Sequence, residues 1–195
     1  AFFGRTNAGA VTIGAGSTLQ LQRQGQYAST VLAFSSQYSS SSWSAAQALG
    51  TPNTLSYGDS PTAWAPSSVN GTLEYLAVGF ATPISAAGVT VRETLGNGFV
   101  YQVDALDTAD VWHTVWTGTD PSLPGSPADF QVLWPATPYL VKGVKVYVDT
   151  NRNLSAFEEY LKLDDLSDYG INEKAGLVIC PPWDYSMPPL GLAYI

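Results

Sequence analysis

Apolar residues in this chain recur at alternate positions over short runs, separated by turn-forming clusters. Residues 73–80, 88–93, 99–106, 111–117, 130–134, 143–148 and 157–163 each carry such a run. Alternation over roughly four to eight residues marks a half-buried strand. Between the runs lie Leu95-Gly96-Asn97-Gly98, Asp107-Thr108-Ala109-Asp110 and residues 120–127, all rich in turn formers. The second cluster predicts a hairpin joining 99–106 to 111–117. Only residues 44–49 suggest a short helix, closed by Gly50 and Pro52. Regular short strands with almost no helix predict an all-β fold, an antiparallel β-sandwich or jelly roll.

Two segments fall outside this succession. Residues 1–34 are rich in Gly, Ala, Thr and Gln, and Ser17-Thr18-Leu19-Gln20-Leu21-Gln22-Arg23 reads as an edge strand. Residues 167–195 are apolar and proline-locked, with Pro181-Pro182-Trp183, Pro188-Pro189-Leu190 and the ending Leu192-Ala193-Tyr194-Ile195. The expected organisation is therefore an N-terminal arm over 1–34, a sandwich over 35–166 and a C-terminal arm over 167–195. An apolar tail must find cover, on its own sandwich or on a neighbour. An arm adding a strand to a neighbour's open edge supplies main-chain hydrogen bonds along its length, and an unclosed rotation between subunits gives a filament. Leu19, Leu21, Trp183 and Tyr194 are the arm positions such contacts would use, which makes a homo-oligomer or polymer an expected partner state.

Composition narrows the function. Charged residues are 12% of the chain and hydrophobic ones 45%, which excludes a disordered acidic chain. The net charge is −8 with no cluster of Lys or Arg, so nucleic acid and anionic membrane surfaces are excluded as partners. No apolar run reaches the ~18 residues of a membrane helix, so no membrane insertion is expected. The single cysteine, Cys180, forms no intrachain disulfide and reads as a small buried residue, with no cation beside it in the sequence to activate it.

Several motifs resemble one family in order and spacing. Ser35-Ser36-Gln37-Tyr38, leading into Trp43-Ser44-Ala45-Ala46-Gln47-Ala48-Leu49-Gly50, looks like an opening Ser-rich loop followed by "A-x-x-A-x-G". Tyr57-Gly58-Asp59-Ser60-Pro61-Thr62-Ala63-Trp64 resembles "D-x-x-T-x-W". Residues 107–115 are similar to a "D-x-x-G-x-x-W-x-x-V" hairpin, with Asp110 where the family has glycine. From about residue 35 to 166 the chain resembles the discoidin-like (coagulation-factor type C) and galactose-binding-like domains, especially bacterial surface versions. The resemblance implies a galactose-binding-like sandwich acting outside the cytoplasm, secreted or at the cell surface. It also implies a candidate structural calcium at Asn53, Asp59 and Thr62 with Glu158 or Glu159; no other cofactor is expected. Calcium suits these positions because it takes oxygen ligands from carboxylates and loop carbonyls.

The remaining chemistry points to binding. Sugar sites use aromatic faces and a few polar groups, and Tyr38, Trp43 and Tyr57 lie in loops expected to crowd one end of the sandwich. Trp64 is expected in the core. Strict alternation puts Trp112, Thr114 and Trp116 on one strand face and Val111, His113 and Val115 on the other, with both tryptophans expected in the core. His113, the only histidine, excludes multi-His metal sites, and there is no G-x-S-x-G elbow. Asp104, Asp107, Asp110, Glu158 and Glu159 could supply paired acids, but nothing marks one as held protonated. No catalytic residue is assigned. The expected function is a non-catalytic binding and adhesion module for carbohydrate or another cell-surface ligand. The alternative is a structural subunit of a filament, sheath or layer.

Overall fold

The computed structural model describes residues 25–68, 71–151 and a strand at 162–166. Eight strands form: β1 (Ala28–Phe34), β2 (Leu73–Ile84), β3 (Gly88–Leu95), β4 (Val100–Asp107), β5 (Trp112–Thr117), β6 (Ala128–Leu133), β7 (Val141–Asp149) and β8 (Lys162–Leu166). They build two antiparallel sheets, ordered β1-β2-β7-β4-β5 and β6-β3-β8. The fold is the all-β sandwich that the alternation predicts.

Each strand turns one row of side chains inward. On β7, Val144, Val146 and Val148 are fully buried, while Lys145 and Tyr147 point away from the core. Leu76 and Val78 of β2 stand opposite Val146 and Val144, and Val103 and Ala105 of β4 flank the same pair. Val89 and Val91 of β3 with Phe130 and Val132 of β6 close the core from the second sheet. Trp64 is fully buried, as expected, and its indole N–H donates to the Ser36 carbonyl at 3.0 Å.

Three differences from the sequence expectation have physical causes. β1 falls within the expected N-terminal arm, but it pairs with β2 and edges the large sheet. Its alternation is blurred because Ser29 and Thr30 mix with apolar residues and two register shifts interrupt the pairing. Residues 44–49 yield only a four-residue 3-10 turn, Ala45–Ala48, held by the Gln47 N–H donating to the Ser44 carbonyl. β8 is described from Lys162 to Leu166, and residues 157–161 of the strand expected at 157–163 lie outside the described residues. In β5 the register steps between Asp104↔Thr114 and Val103↔Trp116, leaving Val115 as an inserted residue. Such a bulge puts neighbouring side chains on one side of the sheet. Val115 and Trp116 both pack on the core, and the Trp116 ring meets Phe130 edge-on at 5.5 Å. Trp112 stays on the opposite face, so the two tryptophans are separated.

The expected 107–110 hairpin forms. Asp110 occupies the family's glycine position with φ 65°, a left-handed conformation that Asp adopts more readily than most residues. Asp107 Oδ1 accepts the N–H groups of Ala109 and Val111, and Lys142 Nζ reaches Asp110 at 2.7 Å. No helix among the described residues is long and apolar enough to cross a membrane.

Candidate functional site

The strand directions gather most long connections at one end of the sandwich. The excursion from 35 to 72 between β1 and β2, the turn after β3 and the loop after β5 all emerge there. Ser35 ties the excursion down: its N–H donates to the Tyr75 carbonyl, and its hydroxyl meets Glu74. Ser36 adds a second hydroxyl to the same buried carboxylate at 2.9 Å.

On this base stand Tyr38 and Trp43. Their rings meet edge to face at 5.4 Å with an interplanar angle of 73°, and Tyr38 is 52% exposed. Trp43 has φ 52°, an unusual conformation for a bulky residue. It is held there from both backbone sides. Its N–H donates to the Pro61 carbonyl at 2.9 Å, and its carbonyl accepts the Ala65 N–H at 3.2 Å. The indole N–H donates to Asp59 Oδ1 at 2.8 Å, which fixes the ring's rotation. Strained backbone held this firmly costs about 1–3 kcal/mol and persists where the surroundings over-determine it.

The other expected site residues are distributed around this pair. Tyr57 is half-buried with its hydroxyl enclosed, and the following Gly58 N–H donates to the Thr94 carbonyl of β3. The ring is thus directed against the sandwich, while Tyr38 stands at the exposed tip. Asn53 is exposed. Thr62 Oγ1 lies 2.5 Å from Thr54 Oγ1 and 2.8 Å from Ser60 Oγ, and Asp59 serves Trp43. Among the described residues no group of three His, Cys, Asp or Glu could hold a metal ion. Glu158, Glu159, Leu19, Leu21, Trp183 and Tyr194 lie outside the described residues, as does the expected strand at 17–23.

Beneath the loops sits a buried acidic pair that alternation alone conceals. Glu93 is fully buried at the end of β3, where an apolar residue would continue the Val89 and Val91 row. Its Oε1 accepts the Gly98 N–H at 3.1 Å, and its carboxyl lies in hydrogen-bonding reach of Asp120. Burial, then the Asp120 charge, hold the Glu93 carboxyl well above the usual carboxylate range. Asn97 completes the junction by donating to the carbonyls of Leu123 and Ser126 at 3.0 and 2.9 Å. The loop after β5 is thereby fastened to the turn after β3.

His113 and the remaining acids are engaged elsewhere. His113 Nε2 lies 2.8 Å from Asp107 Oδ2, and its ring stacks on Tyr139 at 4.2 Å. Both sit at the hairpin end, away from the long loops. Asp104 Oδ2 accepts the Tyr147 hydroxyl and Oδ1 accepts Gln102 Nε2, each at 2.8 Å. The outer face of the large sheet also carries Tyr75, Tyr101, Tyr147 and Trp112, all half-buried. Trp112 lies there by its pairing with Leu106, and the β5 bulge, which the sequence does not mark with glycine or proline, turns Trp116 to the core instead.

Solved structures with the same architecture include carbohydrate-binding proteins. A variant of chitosan-binding module 1 from a Paenibacillus sp. IK-5 chitosanase/glucanase has TM-score 0.52 and 14% identity, covering 78% of this chain and 100% of that one. A putative chitobiase fragment from Bacteroides thetaiotaomicron has TM-score 0.57 and 12% identity, covering 80% and 98%. The family 32 carbohydrate-binding module of Streptococcus pneumoniae EndoD has TM-score 0.50 and 12% identity, covering 72% and 98%. At these identities the likeness speaks to the fold, a galactose-binding-like β-sandwich, and does not single out the discoidin branch. No curated protein matches the sequence. A family model does match, spanning residues 17–151: the chain belongs to the family described as Pappalysin-1, SD scarf domain, C-terminal.

Proposed function

We propose that this chain is a non-catalytic carbohydrate-binding module acting outside the cell, with its ligand held at the loop end by Tyr38 and Trp43. The observation that carries the reading is the orientation of Trp43. An indole fixed by Asp59, on a backbone locked in the left-handed region, keeps its place before a ligand arrives. Pre-positioned rings lose little freedom on binding, which favours stacking on a pyranose. Asp59 and the hydroxyls of Ser39 and Ser41 lie on the same segment and offer polar partners. The carbohydrate-binding modules with the same fold support this reading. The engagement of His113, Asp104 and Asp107 in contacts within the sandwich supports the non-catalytic part.

A glycan array with the folded protein, followed by calorimetry on the best ligand, tests the proposal. Tyr38→Ala and Trp43→Ala are expected to weaken binding by about tenfold or more each, as loss of an aromatic stacking surface does. A blank array from folded protein overturns it.

A further inference from the structure

We propose that the outer face of the five-stranded sheet is a second ligand surface, selective for an acidic sugar whose carboxylate meets Lys145 while its ring lies against Trp112 and Tyr75. It shares no residue with the loop end and does not depend on that reading.

The face is built by three features. Register places Tyr75 opposite Tyr147 and Asp104 opposite Lys145, and pairing with Leu106 puts Trp112 on this side. Lys145 Nζ sits 4.3 Å from the Trp112 ring centroid, 5.1 Å from that of Tyr75 and 5.5 Å from that of Tyr147. These rings hold the ammonium in place by their quadrupoles. They do not supply the oxygen acceptors that its three N–H groups prefer.

Among the described residues no carboxylate supplies them either. The ion pairs among the described residues involve Arg92, His113 and Lys142, not Lys145. Asp104 stands across from Lys145, yet its two oxygens are turned to Gln102 and Tyr147. The face therefore offers a fixed cationic donor beside an acceptor already occupied. Such an arrangement favours a ligand that brings acceptors and negative charge, and a carboxylate brings both. An amino sugar would set its cation against Lys145. A neutral sugar could stack but would gain no charge-assisted bond. Among glycans, the chemistry selects those that carry a carboxylate, and a uronate is the simplest of these.

Titrating the full chain with a galacturonate oligomer and with its neutral galactose counterpart tests this, read on indole N–H signals by NMR, with Trp112→Phe assigning the signal. The Trp112 signal is expected to move with the uronate at a Kd at least tenfold lower than with the neutral oligomer. Raising NaCl from about 50 to about 500 mM is expected to weaken the effect, because an exposed charge contact is screened. Lys145→Met is expected to remove the preference and Lys145→Arg to keep it. The Trp43 signal reports the loop end separately, so failure at one surface is distinguishable from failure at the other. Equal response to the two oligomers, or a Trp112 signal unmoved by either, overturns the proposal. If Lys145→Met does not fold, the comparison of oligomers on the unaltered chain decides alone.

Discussion

The hydroxyl of Tyr147 donates to Asp104 Oδ2 at 2.8 Å, tying the central strand β7 to β4 on the outer sheet face. Burial, then the hydrogen bond to Asp104, push this phenol above the ordinary tyrosine range. Tyr147→Phe leaves the buried Asp104 short of a donor and is expected to cost about 1–2 kcal/mol in denaturant unfolding. A raised folded-state pKa stabilises below the unfolded value near 10, and that contribution falls as pH rises above it. The alkaline loss of stability should therefore be shallower in Tyr147→Phe than in the parent.

Glu93 and Asp120 make neutral pH unfavourable for part of the loop end. Glu93 holds its proton in the folded state above the pH at which an unfolded glutamate releases it. Its stabilising contribution is complete below the ordinary carboxylate range and declines as pH rises above that range, until Glu93 itself ionises. Glu93→Gln keeps an acceptor for the Gly98 N–H and removes the titration. The variant should be about as stable as the parent at acid pH and more stable than it at pH 7–8, read by urea midpoints across pH. A parent whose stability rises between pH 5 and 8 in proportion to Glu93 would contradict this assignment.

Asp107 acts on the acid side. The hydrogen bond from His113, then those from the Val111 and Ala109 N–H groups, hold its carboxyl below the usual aspartate range. A depressed pKa stabilises above the unfolded value and is lost as pH falls through the folded one. Asp107→Asn should flatten the parent's loss of stability at low pH, measured by thermal melts across pH 2–5.

Asp110 tests the hairpin substitution directly. A β-branched residue at φ 65° suffers the steric penalty of the left-handed region, so Asp110→Val is expected to lose about 1–2 kcal/mol. Asp110→Gly should change stability by less than about 0.5 kcal/mol, since freedom from strain is offset by a more flexible unfolded chain.

Gly143 faces Gly79 across β7 and β2, and Leu32 of β1 lies over the pair. A Cβ at Gly143 would fall 2.7 Å from Leu32 Cδ1 and 2.8 Å from the Val78 carbonyl oxygen. The side chain can shift but the carbonyl is fixed in the sheet. Gly143→Ala is therefore expected to destabilise by about 1–3 kcal/mol and to loosen β1, seen as faster amide exchange at Val31 and Ala33.

What the sequence discloses follows from how local each cause is. The sandwich was legible because each strand's pattern is local, and the 107–110 turn because Asp residues announce it. Tyr38 and Trp43 were legible as loop aromatics, but their mutual contact depends on Pro61, Ala65 and Asp59 arriving from the far side of the same excursion. The Glu93–Asp120 pair was not legible, since a glutamate within an alternating strand looks the same whether it meets solvent or a second acid. Strict alternation places Trp112 with Trp116 in the core, because the step at Val115 arises from pairing with β4 and leaves no mark in β5 alone.

That one extra residue in β5 has a wider reach. It acts as a switch in reading frame between interior and exterior: everything beyond it changes sides while the strand keeps its partner. Removing Val115 would return β5 to plain alternation with Trp116 still opposite Val103 and turned inward, while the interior would lose the Val115 side chain. A single inserted residue thus changes which chemistry a strand displays while its place in the architecture stays untouched.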